Sequence, residues 1–218
     1  MKRKFRFNFN IALFLILVAL FAGIALLNPV FLSFDYLIGV MLRNIVEIGM
    51  MSLTMTMIVV TGGIDLSVGS TMVLASMLGG MAALKFGGAA GALVTMLVGA
   101  ACGLFNGLLI AKVKISPLVT TLATMYLYMG LARSFSHGDS VYAYDLSQWL
   151  GTTNVAGVPV QILYFAALAL LFWFLLHRTA LGRTLYGIGL NENATRFCGI
   201  DTDRVKMRIY LFSGLVCA

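Results

Sequence analysis

An acidic residue and several glycines interrupt the apolar sequence in the stretch VTGGIDLSVGS, which runs from position 60 to position 70. Gly62 and Gly63 permit backbone angles that end one helix, and Asp65 or Ser67 can accept hydrogen bonds from the free N–H groups that open the next. At membrane depth, such a break is tolerated only where protein buries it or where it lines an aqueous cavity. Asp65 is therefore either the cap of a turn that joins two helices or a group in a substrate pathway or gate.

The segment GLNENATRFCG, residues 189–199, has the features of one short helix. Asn191 can cap it, Glu192 suits its positive N-terminal end, and Gly199 can terminate it. Its apolar face would consist of Ala194, Phe197 and Cys198. An exposed apolar face needs something to cover it. The candidates are a soluble partner protein, the membrane surface or the chain's own helix ends.

Small residues recur at a helical spacing in Gly99, Gly103 and Gly107, with Asn106 beside them. This spacing puts the three glycines on one face of a helix and lets another helix approach closely. We interpret it as a packing face, which identifies no function by itself.

Hydroxyl groups are concentrated in PLVTTLATMYLYMG, residues 117–130. They belong to Thr120, Thr121, Thr124, Tyr126 and Tyr128. Such side chains suit a sugar that passes through a membrane pathway, but hydrogen bonds between helices explain them equally well.

The elements that position these residues must lie in a membrane. Of the 218 residues, 61% are hydrophobic and only 11% are charged, which is far from the balance of a soluble globular domain. Long apolar runs recur along the chain, and a helix needs roughly 20 such residues to cross a bilayer. No alternating strand pattern of a membrane β-barrel occurs, so helices are predicted. The predicted fold class is an all-α integral membrane protein, a polytopic helical bundle.

We predict about six to seven transmembrane helices in this chain. They cover residues 11–27, 44–61, 66–84, 89–111, 117–132 and 160–176, with a seventh that begins near Ile209. The last run holds only roughly ten residues, too few to cross a bilayer, so we expect the chain to be truncated at its C-terminus.

The basic residues predict the orientation. With a cytoplasmic N-terminus, only three of the fifteen Lys and Arg residues lie outside, namely Arg43, Lys85 and Arg133. The remaining basic residues are then cytoplasmic, as the positive-inside rule requires. The domain prediction is a cytoplasmic basic tail at 1–10 and a transmembrane domain at 11–218, which has an external loop at 133–159 and a cytoplasmic loop at 177–208.

Several kinds of chemistry are missing from the sequence. It has no P-loop, no zinc-protease His-Glu-x-x-His and no Gly-x-Ser-x-Gly elbow. The three cysteines, Cys102, Cys198 and Cys217, lack the spacing of a metal site. The net charge of +7 comes from basic residues scattered between spans, which indicates membrane topology and no nucleic-acid partner. We therefore expect no catalytic residue, metal or cofactor in this chain, and no ATP hydrolysis by it.

The motif GGIDLSVGS, together with NPVF at 28–31 and LGRTLYGIGLNENATRFCGID at 181–201, closely resembles permease subunits of bacterial ABC importers for simple sugars. These are importers of the ribose, xylose, galactose, rhamnose and autoinducer-2 type. The resemblance extends from about Asn28 to Ala218, and the first motif matches the family's usual form throughout. The second motif keeps a glycine, Asn191, Ala194, Thr195, Arg196, Gly199 and Ile200 in order.

The resemblance implies a multi-pass permease in the bacterial inner membrane that imports a simple sugar. Its implied partners are an ABC ATPase subunit, which binds the ATP and magnesium, a periplasmic sugar-binding protein that meets the external loops, and a second permease subunit, either a second copy or a paralogue. The implied translocation motif consists of Gly62, Gly63, Ile64, Asp65, Leu66, Ser67, Gly69 and Ser70. The implied ATPase-coupling helix contains Asn191, Glu192, Ala194, Thr195, Arg196, Phe197, Gly199 and Ile200.

Three other classes of membrane protein are alternatives to this interpretation. A branched-chain amino acid permease of the same wider family is disfavoured by the complete GGIDLSVGS match. An ion-coupled secondary transporter also has broken helices at mid-membrane, but its uptake would follow a sodium or proton gradient without an ATPase. An intramembrane enzyme would need a nucleophile and a base at one depth, which Asp65 alone does not supply.

Overall fold

The computed structural model describes residues 9–33, 36–141, 151, 153–155 and 158–218, and most of them are helical. The helices are α1 (Phe9–Leu27), α2 (Leu42–Val60), α3 (Val68–Phe86), α4 (Gly88–Ala111), α5 (Pro117–Ser136), α6 (Val160–Arg178), α7 (Ala180–Leu190), α8 (Glu192–Phe197) and α9 (Thr202–Cys217). A 3-10 turn (Pro29–Leu32) follows α1, a π-helical turn (Leu37–Met41) runs into α2, and a small hairpin of β1 (Asn154–Val155) and β2 (Val158–Pro159) precedes α6. The predicted helical membrane-protein fold is confirmed.

Four helical segments are both long and apolar enough to cross a membrane. They are Leu37–Val60, Val68–Phe86, Gly88–Ala111 and Val160–Arg178. The apolar part of α1, Ile11–Leu27, is shorter, and the 20-residue helix α5 is long enough but carries several threonines and tyrosines. Each of the six complete spans predicted from the sequence therefore corresponds to a helix, and four of those helices meet both criteria.

The chain forms two compact units, residues 1–45 and 46–218. In the first unit, Asn28 Oδ1 accepts a hydrogen bond of 3.1 Å from the Val30 N–H and so opens the 3-10 turn. The Phe31 ring meets the Phe21 ring edge-on, with 5.2 Å between centroids, and lies 5.8 Å from the Tyr36 ring. These contacts fix the chain where α1 ends.

In the second unit, α4 and α9 approach until their backbones touch, along the glycine face of α4. A Cβ atom added to Gly103 would overlap the carbonyl oxygen of Tyr210, and one added to Gly99 would overlap that of Gly214. Gly107 lies in the same interface. The predicted packing face is confirmed, and its partner helix is α9, which the sequence pattern did not identify.

The main hydrophobic core joins side chains from α2, α4, α6, α7 and α9. Its buried members are Met57, Ile58, Ile110, Phe172, Leu176, Leu185, Ile209 and Tyr210. A second cluster joins α3, α4 and α5 through Leu74, Cys102, Tyr128 and Ala132. Because α7 contributes to the same core as the apolar spans, the segment that follows α6 is a packed part of the fold.

The segment 177–208, predicted as a cytoplasmic loop with one short helix, contains two complete helices and the first turns of a third. Its first two residues complete α6, and α7 and α8 follow. Helix α9 begins at Thr202 and not near Ile209, because Asp201 caps it by accepting a hydrogen bond of 3.0 Å from the Arg204 N–H. A charged first turn can thus precede the apolar part of the same helix.

The external loop predicted at 133–159 also begins later than expected. Helix α5 continues to Ser136 and ends at His137, whose φ of 53° is left-handed. Beyond it, β1 and β2 pair antiparallel, with Val155 opposite Val158. Residues 142–150 of this loop, and residues 1–8 of the predicted basic tail, lie outside the described residues.

Candidate functional site

The break between α2 and α3 is built from the two glycines of the motif. Gly62 has a φ of 77°, a left-handed conformation that side chains disfavour. Gly63 is buried, and a Cβ atom there would lie 2.9 Å from the Tyr210 hydroxyl and 3.0 Å from the Ile58 side chain. The Ile58 carbonyl at the end of α2 accepts hydrogen bonds from the Thr61 N–H at 3.1 Å, the Gly63 N–H at 3.0 Å and the Thr61 hydroxyl at 2.7 Å. The backbone conformation therefore favours glycine at position 62, and the close neighbours favour it at position 63.

Asp65 closes the turn that leads into α3. Its Oδ1 atom accepts hydrogen bonds from the Ser67 N–H at 2.8 Å and from the Ser67 hydroxyl at 2.6 Å. Asp65 is 5% exposed and Ser67 is fully buried. The Ser70 hydroxyl then donates to the Ser67 carbonyl within the first turn of α3. Of the two roles open to Asp65 from the sequence, this geometry is nearer to the cap: Asp65 caps the turn at Ser67, whereas no side chain among the described residues bonds to the N–H groups that open α3 itself.

The turn is held to two further helices by a buried chain of polar side chains. Asn106 of α4 donates from Nδ2 to the Ser67 hydroxyl at 2.7 Å. The Tyr128 hydroxyl of α5 donates to the Cys102 carbonyl at 3.0 Å and lies 3.4 Å from Asn106 Oδ1. Ser67, Asn106 and Tyr128 are all nearly or fully buried. The network connects the motif to α4 and α5 and satisfies groups that would be costly unpaired in a low dielectric.

The hydroxyl groups of α5 serve this packing to different degrees. Thr121 donates to the Pro117 carbonyl at 2.8 Å and lies 3.3 Å from the Ile64 carbonyl of the break. Thr124 bonds within its own helix, whereas Tyr126 is 69% exposed. The Thr120 hydroxyl is buried and has no hydrogen-bond partner among the described residues. Interhelical hydrogen bonding therefore accounts for Thr121 and Tyr128 but leaves Thr120 and Tyr126 unexplained.

The motif residues alternate between the protein interior and its surface. Gly63, Asp65, Ser67 and Ser70 are buried, Gly69 is partly buried, and the remaining members, Gly62, Ile64 and Leu66, are exposed. One apolar edge of the break thus faces outward while its polar groups face α4 and α5.

The second predicted site is helix α8, at the same end of the spans as the break. Asn191 Oδ1 accepts a hydrogen bond of 2.9 Å from the Ala194 N–H, which is the predicted N-cap. Gly199 follows the helix with a φ of 84°. Thr195 is buried and bonds back to the Asn191 carbonyl, and Ile200 is partly buried. The termini predicted from the sequence are found where the pattern placed them.

A network of charges fixes α8 against the start of α9. Glu192 accepts from Lys206 at 2.6 Å and from the Thr202 hydroxyl at 3.1 Å. Arg196 donates to the Thr202 hydroxyl and to Asp203, both at 2.8 Å. Lys114, which follows the end of α4, completes the network with an ion pair to Asp203. Thr202 is fully buried at its centre.

Both carboxyl groups of this network are held in their charged form. Partial burial acts to raise the pKa of Glu192, but the hydrogen bond and charge of Lys206, together with the Thr202 hydroxyl, bring it below its ordinary value. The hydrogen bond from Lys114 is the main cause that lowers the pKa of Asp203. Groups with lowered pKa stabilise the folded state above their ordinary pKa, and this contribution is lost as the pH falls through the lowered value.

We expect Glu192→Gln to loosen α8 at neutral pH and to have little effect in acid. Glutamine keeps the shape but loses the charge, so amide exchange across residues 190–206 should be about fivefold faster at pH 7, corresponding to about 1 kcal/mol for a partly exposed charged network. The two proteins should converge as the pH falls below the ordinary carboxyl range. Hydrogen exchange read by mass spectrometry checks this, with the exposed Asp139→Asn as the control. Identical exchange at pH 7 would contradict the assigned role.

The outer surface of α8 is apolar, and none of the residues that the structure describes covers it. Phe197 is 91% exposed and Leu190, at the end of α7, is 88% exposed. Ala194 and Cys198 are also exposed, so the predicted apolar face exists. The internal bonds of Glu192 and Arg196 hold the helix while this face points away from the rest of the second unit.

Gly189 joins the two sites, and sequence reasoning did not assign it a role. A Cβ atom on Gly189 would overlap the Val60 carbonyl oxygen and lie 3.6 Å from the Thr61 Cα. The end of α7 therefore rests directly on the end of α2, immediately before the break. Gly182, Leu185 and Ile188 form the buried face of α7. Their helical spacing was the available signal that this segment is packed and not a loop.

Comparison with known proteins gives a consistent family assignment. The sequence profile of the family described as "Branched-chain amino acid transport system / permease component" matches residues 36–218. The chain is 33% identical over 211 residues to the ribose import permease protein of Escherichia coli, covering 93% of this chain and 64% of that protein. It is 32% identical over 221 residues to the autoinducer 2 import system permease protein of Salmonella typhimurium, covering 98% of this chain and 66% of that protein. No solved structure matches the chain.

The chain thus spans just under two thirds of the length of these curated relatives. The family match includes both the break at Asp65 and helix α8. The family match and the two relatives together confirm the resemblance that the motifs indicated. The chain belongs to this family of membrane permease components, and its relatives include permeases of sugar and autoinducer importers.

Proposed function

We propose that this chain is the membrane-spanning permease subunit of an ATP-driven importer of a simple sugar. The observation that carries the proposal is the exposed Phe197 on the short helix α8, which its own ion pairs fix in place. The preceding helix α7 contacts, through Gly189, the end of α2 immediately before the break that contains Asp65. An exposed apolar side chain that is held in a fixed position at the membrane surface is suited to docking onto a soluble subunit. The sequence has no nucleotide-binding P-loop, so the ATPase would be a separate protein.

The proposed orientation puts the N-terminus, α7 and α8 in the cytoplasm of a bacterial cell, with the chain in its inner membrane. The distribution of Lys and Arg supports this orientation. The external segments between α5 and α6 would then meet a periplasmic binding protein. A second permease subunit, either another copy or a paralogue, would complete the pathway.

A sugar is the proposed cargo because the two relatives named above import ribose and autoinducer 2. The family description names branched-chain amino acids, which keeps leucine-type substrates as the second candidate. The motif residues Gly62 to Ser70 would border the pathway, with the exposed edge of Ile64 and Leu66 nearest to it.

The test is uptake by membrane vesicles. The vesicles are prepared from cells that express the tagged chain together with its proposed partner proteins. Labelled ribose, xylose, galactose and leucine are supplied outside, and ATP is generated inside. We expect one of the sugars to accumulate with ATP and to continue accumulating when ionophores collapse the sodium and proton gradients. Accumulation of leucine alone would assign the chain to amino acid transport. Uptake that follows an ion gradient without ATP would overturn the proposal.

We expect Asp65→Asn to reduce uptake more than it reduces the amount of folded protein. Asparagine can still accept the hydrogen bonds from Ser67, but it removes the charge, so capping survives while any charge-dependent role in the pathway is lost. The expected result is at least a tenfold loss of uptake at an unchanged yield in the membrane. Asp65→Ala also removes the hydrogen-bond acceptor, so it should destabilise the folded protein by about 1 kcal/mol and lower its yield in the membrane. Normal uptake by Asp65→Asn would show that Asp65 acts only as a cap.

A further inference from the structure

An apolar groove lies among α2, α6, α7 and α9, away from the break and from the exposed face of α8. Its volume is about 470 Å³, within the roughly 300–1,000 Å³ typical of ligand pockets. Leu175, Leu181, Ile209 and Phe212 are among its apolar walls. Two polar side chains also line it, and these are Thr184 of α7 and Arg208 of α9.

Arg208 differs from the two other basic residues of α9. Arg204 forms an ion pair with Asp201, and Lys206 forms one with Glu192. Arg208 is exposed and, among the described residues, has no acidic partner. The groove therefore has apolar walls and one uncompensated positive charge.

The groove lies where membrane spans end. Leu175 is in the last turn of α6, which ends at Arg178, and Met57 is in the last turn of α2, which ends at Val60. Both segments qualify as membrane spans, so this level corresponds to the boundary between acyl chains and headgroups. The neighbouring Trp173 ring lies under the Arg178 guanidinium, 5.6 Å from its centre, an arrangement typical of the membrane interface.

We propose that this groove binds one anionic phospholipid, with an acyl chain against the apolar walls and the phosphate at Arg208 and Thr184. Charge complementarity selects the ligand, because basic pockets between membrane helices bind anionic headgroups. The apolar walls select an acyl chain over a soluble anion, and at this depth the surrounding bilayer supplies one. The proposal depends on the membrane location of the chain and not on its cargo or its energy source.

The test is native mass spectrometry of the purified chain released from nanodiscs that contain equal amounts of phosphatidylglycerol and phosphatidylcholine. We expect one retained lipid per chain, and we expect it to be phosphatidylglycerol. Arg208→Gln should lower the ratio of retained phosphatidylglycerol to phosphatidylcholine about fivefold, the change that corresponds to one basic contact with an anionic headgroup. Arg183→Gln, on the exposed face of α7, is the matched control and should leave the ratio unchanged.

A second variant tests the acyl site independently of charge. Leu181 is 41% exposed at the groove wall, so Leu181→Trp can fill the groove without disrupting the core. It should reduce retention of both lipids while the protein remains monodisperse in detergent. Equal retention of the two lipids, or an equal loss in Arg208→Gln and Arg183→Gln, would overturn the proposal. A chain that retains no lipid would also overturn the proposal. That result would indicate that another protein segment or a second copy covers the groove.

Discussion

Phe197→Asp is expected to abolish co-purification of the proposed ATPase subunit with this chain while the chain still inserts into the membrane. The reason is that the Phe197 ring is 91% exposed, so its replacement leaves the internal packing intact and removes only the apolar contact surface. A buried aromatic at the centre of an interface typically contributes 2 kcal/mol or more, which is about a thirtyfold loss of affinity, and a buried aspartate would add to it. Affinity purification followed by quantification of both subunits measures the effect.

The matched control is Phe197→Leu, which keeps an apolar side chain at the same position and should retain most of the association. Arg196→Glu should also impair association, but by a different cause. Arg196 bonds to Thr202 and Asp203, so its reversal would place like charges together and release α8 from α9. Faster amide exchange in residues 190–206 separates this loosening from the direct loss in Phe197→Asp. Unchanged co-purification of Phe197→Asp would remove the coupling role from α8.

Gly103→Ala is expected to destabilise the second unit strongly, although it adds a single methyl group. The new Cβ would overlap the Tyr210 carbonyl, which is backbone and cannot rotate away. Overpacking of this kind typically costs about 1–3 kcal/mol, and the upper part of the range is expected where helix backbones touch. Thermal unfolding in detergent should therefore show a lower midpoint and a lower yield of folded protein.

Gly130→Ala is the control for this substitution. Gly130 lies inside α5, and no heavy atom lies within 4 Å of an added Cβ. Alanine there should leave the unfolding midpoint unchanged or raise it, because alanine favours a helix by about 1 kcal/mol over glycine. An equal decrease in both variants would mean that the α4 and α9 backbones do not pack through Gly103.

The features that were predictable from the sequence are those that depend on neighbouring residues. Asn191 and Gly199 have the residue types that helix ends require, and both were found at the ends of α8. The apolar spans and the glycine break followed from composition and from the backbone freedom of Gly62. The spacing of the glycines in α4 predicted a close helix contact.

The features that were missed depend on residues far apart in the chain. Asn106 was interpreted only as a neighbour of the glycines, but it bonds to Ser67, thirty-nine positions away. The ion pairs of Asp203 with Lys114 and Arg196 hold the first turn of α9 in the packed structure, and no local pattern shows that pairing. The charged residues of 177–208 therefore suggested a loop. In the structure they form ion pairs that hold packed helices together.

The contact of Gly189 with the Val60 carbonyl leaves no side chain between the end of α7 and the end of α2. The two backbones touch, so no deformable layer lies between them to absorb a displacement of α7. A bulkier residue at position 189 would hold α7 away from α2. Under the proposed function, a displacement of α8 in such a variant would first have to close that gap before it reached the turn at Asp65.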